Sequence, residues 1–172
     1  IFMLSYNKSA YTKLALRYLM GDTSGIGYPV EKFVLVDNGS TDDTVPWFKE
    51  HYVNNSVKSQ WVKSFEIIEN KVNLGIAKGQ NQGAQACDAD SDVVMISNDI
   101  FLGPGWLFPM VKQVEFHKEH NVKLGWVSPF LSPEHTFDTI VNNEFRQQYF
   151  NQWYGHVINC QDPDSLQFTI DQ

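Results

Sequence analysis

Asp99 closes the run Ser97-Asn98-Asp99, directly behind an apolar stretch, and is the best candidate in the chain for a divalent-cation ligand. Mg²⁺ and Mn²⁺ take oxygen donors, and one protein carboxylate suffices when substrate phosphates complete the shell. An ordinary turn aspartate is the competing reading. A second polar run is Asp37-Asn38-Gly39-Ser40. The Asp37 carboxylate can accept from ribose hydroxyls or a nucleobase N–H, or from its own turn, since Asp-Asn-Gly is common turn chemistry. A third is Asn73-Leu74-Gly75, where Gly75 permits a positive φ or the close approach of a ligand. Lys78 can offer positive charge to a diphosphate, or lie solvated on a helix face. The fourth run is Ser5-Tyr6-Asn7.

Each run needs an element to place it, and the hydrophobic pattern supplies one. Ile1–Leu4, Phe33–Val36, Phe65–Ile68 and Val93–Ile96 read as strands, with a fifth, short strand at Leu124–Val127. Between them lie helical patterns: Tyr11, Leu14, Ala15, Tyr18 and Leu19, stopped by Gly21; then Val45, Phe48 and Tyr52, with Pro46 in the first turn; then Ile76–Cys87; then Pro104–Lys118, with Leu107, Met110, Val111 and Val114 inward. Ser40 and Asp43 have capping-box spacing, so Ser40 is expected to cap the second helix. Gly79 and Gly83 inside the third helix each cost about 1 kcal/mol against Ala, which the close approach of another backbone would offset. Alternating strands and helices imply an α/β fold with a mostly parallel, Rossmann-like sheet and helices on both faces. Continuous apolar runs suit strands buried on both sides. All four polar runs then fall beyond the carboxyl ends of strands, where open α/β sheets bind ligands.

Bulk properties exclude several alternatives. A chain of 172 residues fits one domain, large enough to bury roughly 70% of its unfolded surface. Its net charge of −7 argues against nucleic-acid binding, which needs basic patches. Two cysteines, Cys87 and Cys160, make no disulfide framework or zinc site, and point to a cytoplasmic setting. No apolar run reaches the ~18 residues of a membrane span. The P-loop, the Gly-x-Gly-x-x-Gly fingerprint and Gly-x-Ser-x-Gly are all missing. His51, His117, His120, His135 and His156 are scattered, and none has a metal-site context.

The four runs in this order resemble the signatures of family-2 glycosyltransferases with the GT-A fold. Leu4-Ser5-Tyr6-Asn7-Lys8 is similar to their Thr-Tyr-Asn-Arg segment, and Val34–Asp42 to their second-strand motif. Asn73–Gly83 resembles their Asn-x-Gly…Asn-x-Gly stretch. Met95–Ile100, followed by Pro104-Gly105-Trp106-Leu107, resembles the metal-binding Asp-x-Asp region. The likeness covers residues 1 to 130 and implies a donor-binding core there.

What the resemblance implies is specific. Ser5, Tyr6, Asp37 and Gly75 should surround the nucleoside, with Asn7, Asn38, Ser40, Asn73, Lys78 and Asn98 also at the donor edge. Asp99 should hold Mg²⁺ or Mn²⁺ on the diphosphate. The donor would be a nucleoside-diphosphate sugar, UDP favoured, and the acceptor a saccharide or other hydroxyl, with inversion at the anomeric carbon. Polysaccharide assembly at the inner face of a membrane is the expected setting. Two positions depart from the family pattern. Ser97 stands where the first Asp-x-Asp carboxylate would be. The family's later Glu-Asp pair, which supplies the base, has no counterpart: Phe137-Asp138 lacks it, and Asp162-Pro163-Asp164 reads as a loop. No catalytic base is therefore assigned. Residues 131–172 are expected to be a partial acceptor-side region. They include an amphipathic stretch from Phe137 to Tyr149, and aromatics up to Tyr154 that pack in a core or stack on a sugar. The start on Ile1-Phe2-Met3-Leu4 reads as a chain entered inside a strand. The alternatives are a non-catalytic donor-binding domain and, ranked lower, a sugar nucleotidyltransferase.

Overall fold

A computed structural model of the chain describes residues 1–20, 25–54, 59–100, 102, 104–125 and 127. The chain divides into two compact units, Ile1–Gly105 and Trp106–Gln172. The first contains β1 (Phe2–Ser5), α1 (Ser9–Met20), β2 (Val30–Asp37), α2 (Thr44–Phe48) prolonged by a π-helical turn (Lys49–Val53), β3 (Val62–Glu69), α3 (Ile76–Gln85) and β4 (Met95–Ser97). In the second, α4 (Leu107–Glu119) is the described helix.

The sheet is parallel throughout, in the order β3-β2-β1-β4. The steps β1 to β2 and β2 to β3 go one way across the sheet, and β3 to β4 goes back. Right-handed crossovers therefore put α1 and α2 on one face and α3 on the other. The side chains agree. Phe33 and Phe65 meet Phe48 of α2 and, for Phe65, Tyr52 of the π-helical turn. Phe2, Val34 and Val36 form a buried cluster on the opposite face, with Leu4, Ile68, Ala86 and Cys87 packed on it. The α/β sheet with helices on both faces is thus as expected.

Strand burial is less uniform than the apolar runs suggest. Only the two central strands are enclosed: Phe33, Val34, Leu35 and Val36 are all buried, as are Phe2 and Met3. β3 and β4 are the outer strands, and Met95 is 57% exposed. Leu124, Gly125 and Val127 form no strand. The segment from Phe137 to Tyr154, Gly21 and Cys160 lie outside the described residues. In α1 the inward face is Thr12, Leu14, Ala15, Leu16 and Leu19, while Tyr11 and Tyr18 are half-buried. In α4 Leu107 is buried, and Met110, Val111 and Val114 are half-buried.

Gly79 and Gly83 are both buried, but what approaches them is side chain rather than backbone. A Cβ on Gly79 would lie 2.5 Å from Leu4 Cδ1, and one on Gly83 would run into the Phe2 ring. Four helical residues rise ~6 Å and two strand residues ~6.6 Å, so this glycine pair spans the Phe2/Leu4 pair. The missing Cβ atoms let α3 sit directly on β1.

Candidate functional site

The carboxyl ends of the strands are level. Ser5 pairs with Asp37 and Asp37 with Glu69, and the ladder runs on into the loops. The Asn38 N–H donates to Ser5 O at 2.8 Å, and the Asn70 N–H to Asp37 O at 2.9 Å. β1 lies between β2 and β4, where chain direction across the sheet reverses. Such a reversal opens the crevice in which α/β proteins bind ligands.

Asp37 is buried at this edge, 2% exposed. Its Oδ2 accepts the N–H groups of Gly39 at 3.2 Å and Ser40 at 2.9 Å, tightening the turn after β2. Gly39 has φ +83°, and a Cβ there would meet the Val72 backbone at 2.8 Å, so only glycine lets the two loops touch. Asp37 Oδ1 is buried with no hydrogen-bond partner among the described residues. A buried carboxylate oxygen left this way is costly, so the site favours a ligand bringing an N–H or O–H to it.

Asn38 lies beside it, also 2% exposed, and its amide is saturated within the protein. Its Oδ1 accepts Leu74 N–H at 3.0 Å and Asn70 Nδ2 at 3.2 Å. Its Nδ2 donates to Asn73 Oδ1 at 2.9 Å and to Gly75 O at 3.3 Å. Asn73 Oδ1 also accepts the Gly75 N–H at 2.8 Å. Asn70 and Gln82 exchange amide hydrogen bonds of 2.8 and 3.0 Å. Asn38 and Asn73 therefore join the loops after β2 and β3 to each other. Gly75 sits at φ +82°, ψ 167°, a region essentially restricted to glycine, and precedes α3 with no side-chain cap. Lys78 is exposed in the first turn of that helix.

The loop after β1 is bound as firmly. Asn7, at φ +48°, donates its N–H to Ser40 Oγ at 2.9 Å, and its Oδ1 accepts the Thr41 N–H at 2.7 Å. Ser40 thus secures Asn7 and does not cap α2, which starts later, at Thr44. Asp42 does the capping. Its Oδ1 accepts the Thr44 N–H at 3.0 Å, and its Oδ2 accepts the Ser9 N–H at 2.9 Å, so one carboxylate closes the first turns of α1 and α2. Asp43 pairs with Lys13 Nζ at 2.6 Å and accepts from the Ser9 hydroxyl. Those two donors hold its carboxyl below the usual range. Tyr6 is 44% exposed at the crevice.

The loop after β4 is joined to the other side of β1. Asn98 Nδ2 donates to Thr12 Oγ1 at 3.0 Å, with Ser5 Oγ at 3.5 Å, and the two hydroxyls share a 2.8 Å hydrogen bond. Asp99 is exposed, and its Oδ1 accepts from the Ser97 hydroxyl. No group of three or more His, Cys, Asp or Glu among the described residues can enclose a metal ion. A single exposed carboxylate with hydroxyl and amide neighbours does fit a hard cation that draws its remaining oxygens from phosphate and water. The polar runs are thereby brought to one edge. The sequence reading missed Thr12, Asn70 and Gln82, and it placed Asp42 at the start of the second helix without its tie to Ser9. Thr12, Asn70 and Gln82 carried no local signal, because their partners are distant in sequence.

Glycosyl transferase family 2 is the description of the family model that matches residues 1–168. No curated protein matches the chain.

Proposed function

Since the chain belongs to glycosyl transferase family 2, in which a glycosyl group passes from a nucleotide-sugar donor to an acceptor, we propose that the edge formed by Ser5, Tyr6, Asp37, Gly75, Lys78 and Asp99 binds a nucleoside-diphosphate sugar, UDP-linked by preference. The observation that carries this reading is Asp37 Oδ1, buried beside the end of β1 and without a hydrogen-bond partner among the described residues. It suits a base N–H or a ribose hydroxyl, with Tyr6 covering the nucleoside. Asn7, Asn38, Ser40, Asn73 and Asn98 belong to the same edge and act mainly by holding its loops. Lys78 and the uncapped start of α3 face the diphosphate.

Asp99 carries the metal ligand role in this reading. Mg²⁺ or Mn²⁺ bound there together with donor phosphates supplies charge neutralisation for the leaving diphosphate. The acceptor hydroxyl, from a saccharide or glycan, would attack the anomeric carbon in line as its proton passes to a carboxylate base, to which no residue of this chain is assigned; the bond to the diphosphate oxygen would break, its electron pair leaving with the diphosphate, and the configuration would invert. Residues 1–130 form the donor core in this scheme, and residues 131–172 begin the acceptor side. Polysaccharide assembly in the cytoplasm, at the inner face of a membrane, is the setting we favour. No described helix is long and apolar enough to cross a membrane. A donor-binding domain without turnover is the second reading, supported by the missing Glu-Asp pair.

Thermal unfolding with and without UDP plus Mn²⁺ tests the donor site. Ligand at about 100 times its dissociation constant stabilises by roughly 2.7 kcal/mol, or roughly 5–10 °C for a chain of this size. Asp99→Ala should remove the Mn²⁺-dependent part of the shift and leave the rest. The absence of any shift with nucleoside diphosphates rejects the donor site, and an unchanged metal increment in Asp99→Ala rejects the ligand role. UDP binding without sugar transfer to any saccharide would favour the second reading.

A further inference from the structure

We infer that Thr12, a residue of α1 outside all the donor-edge runs, is a positioning residue for Asp99; this rests on Asp99 being the metal ligand. β4 is three residues long and lies at the sheet edge, with Ile96 buried and Met95 and Ser97 exposed. Its core anchor therefore ends at Ile96, three residues before Asp99. Beyond that point, the side-chain tie from the loop to the rest of the first unit is Asn98 Nδ2 to Thr12 Oγ1, at 3.0 Å, with Ser5 Oγ at 3.5 Å. Thr12 is fully buried. Its hydroxyl lies 3.0 Å from the carbonyl oxygen of Lys8, just ahead of α1, and 2.8 Å from Ser5 Oγ. The helix, the β1 end and the β4 loop thus meet at one oxygen atom. With Asn98 tied down on this side and Ser97 donating to Asp99 Oδ1, the Asp99 carboxylate is held outward. Groups that orient a metal ligand without touching the metal change its affinity by about 10- to 100-fold when removed.

The test is calorimetric titration of the 172-residue chain with UDP, with and without Mn²⁺. Thr12→Val keeps the shape and removes the hydroxyl, Thr12→Ser keeps the hydroxyl, and Asn98→Ala cuts the same tie from its half-exposed end. In Thr12→Val, Mn²⁺-supported UDP affinity should fall about tenfold or more, with metal-free affinity changed by less than about twofold. Thr12→Ser should restore the metal increment. In an Asn98→Ala background, Thr12→Val should cost nothing further. Three results each overturn the inference: a wild-type metal increment in folded Thr12→Val, an equal loss with and without Mn²⁺, or an undiminished penalty in the Asn98→Ala background. Should Thr12→Val not fold, a full metal increment in Asn98→Ala overturns it alone. A wild-type chain with no metal increment overturns the Asp99 reading together with this one.

Discussion

Asp37 divides its two oxygens between structure and ligand, and that division is testable. Oδ2 holds the turn through the Gly39 and Ser40 N–H groups, while Oδ1 has no donor among the described residues. In Asp37→Asn the amide oxygen can keep the turn, leaving an NH₂ donor where the ligand needs an acceptor. Folding stability should therefore change by less than about 1 kcal/mol, while UDP affinity falls about tenfold or more. Denaturant unfolding and calorimetry read the two effects separately, and equal loss of both would reject the division of roles. The places of Asp37 and Asp99 were legible in the sequence because each stands within three residues of an apolar run, and that of Gly75 because it closes a polar run just ahead of a helical pattern. Thr12 and Gln82 were not. Each is a polar residue on a helix, and what makes it matter is a partner 86 and 12 residues away in sequence, respectively.

At the scale of elements, α3 depends on the lack of two Cβ atoms. Ala is the better helix former, by about 1 kcal/mol, so a solvent-facing glycine here would gain from substitution. Gly83 faces the Phe2 ring and Gly79 the branched end of Leu4. A ring can move away less easily than a δ-methyl. Gly83→Ala should therefore destabilise by about 1–3 kcal/mol through overpacking, and Gly79→Ala by less. Melting temperatures decide the ranking, and the reverse order would mean that α3 is free to lift from β1. Strand positions were legible from the apolar runs to within a few residues. Which strands were central was not, because β1, β2, β3 and β4 are all short apolar runs, while among the described strands β1 and β2 alone have neighbours on both sides. The cap of α2 was misread for a related reason: Ser40 has the right type to cap a helix, but Asn7, 33 residues earlier, takes its hydroxyl.

At the scale of the whole molecule, stability at high pH should be limited in part by Tyr52, whose phenol is pushed up to about 12 by burial. A tyrosine in an unfolded chain ionises near about pH 10. Between these values the unfolded chain has released the proton while the folded chain keeps it. The contribution is complete below about pH 10 and is lost as pH rises toward about 12. Phenolate absorbance should show a component titrating toward about 12 that is missing in Tyr52→Phe, and that variant should lose less stability over the same range. A normal titration of Tyr52 would show that the aromatic cluster of Phe33, Phe48 and Phe65 is open to water. The strand order has a consequence for synthesis. β1, β2 and β3 can pair once residue 69 has left the ribosome, but the second edge of β1 gains its partner only when β4, ending at Ser97, follows. A nascent chain halted between those points would present an unpaired strand edge to any chaperone near the exit tunnel, and among the described strands that edge would be the last to pair.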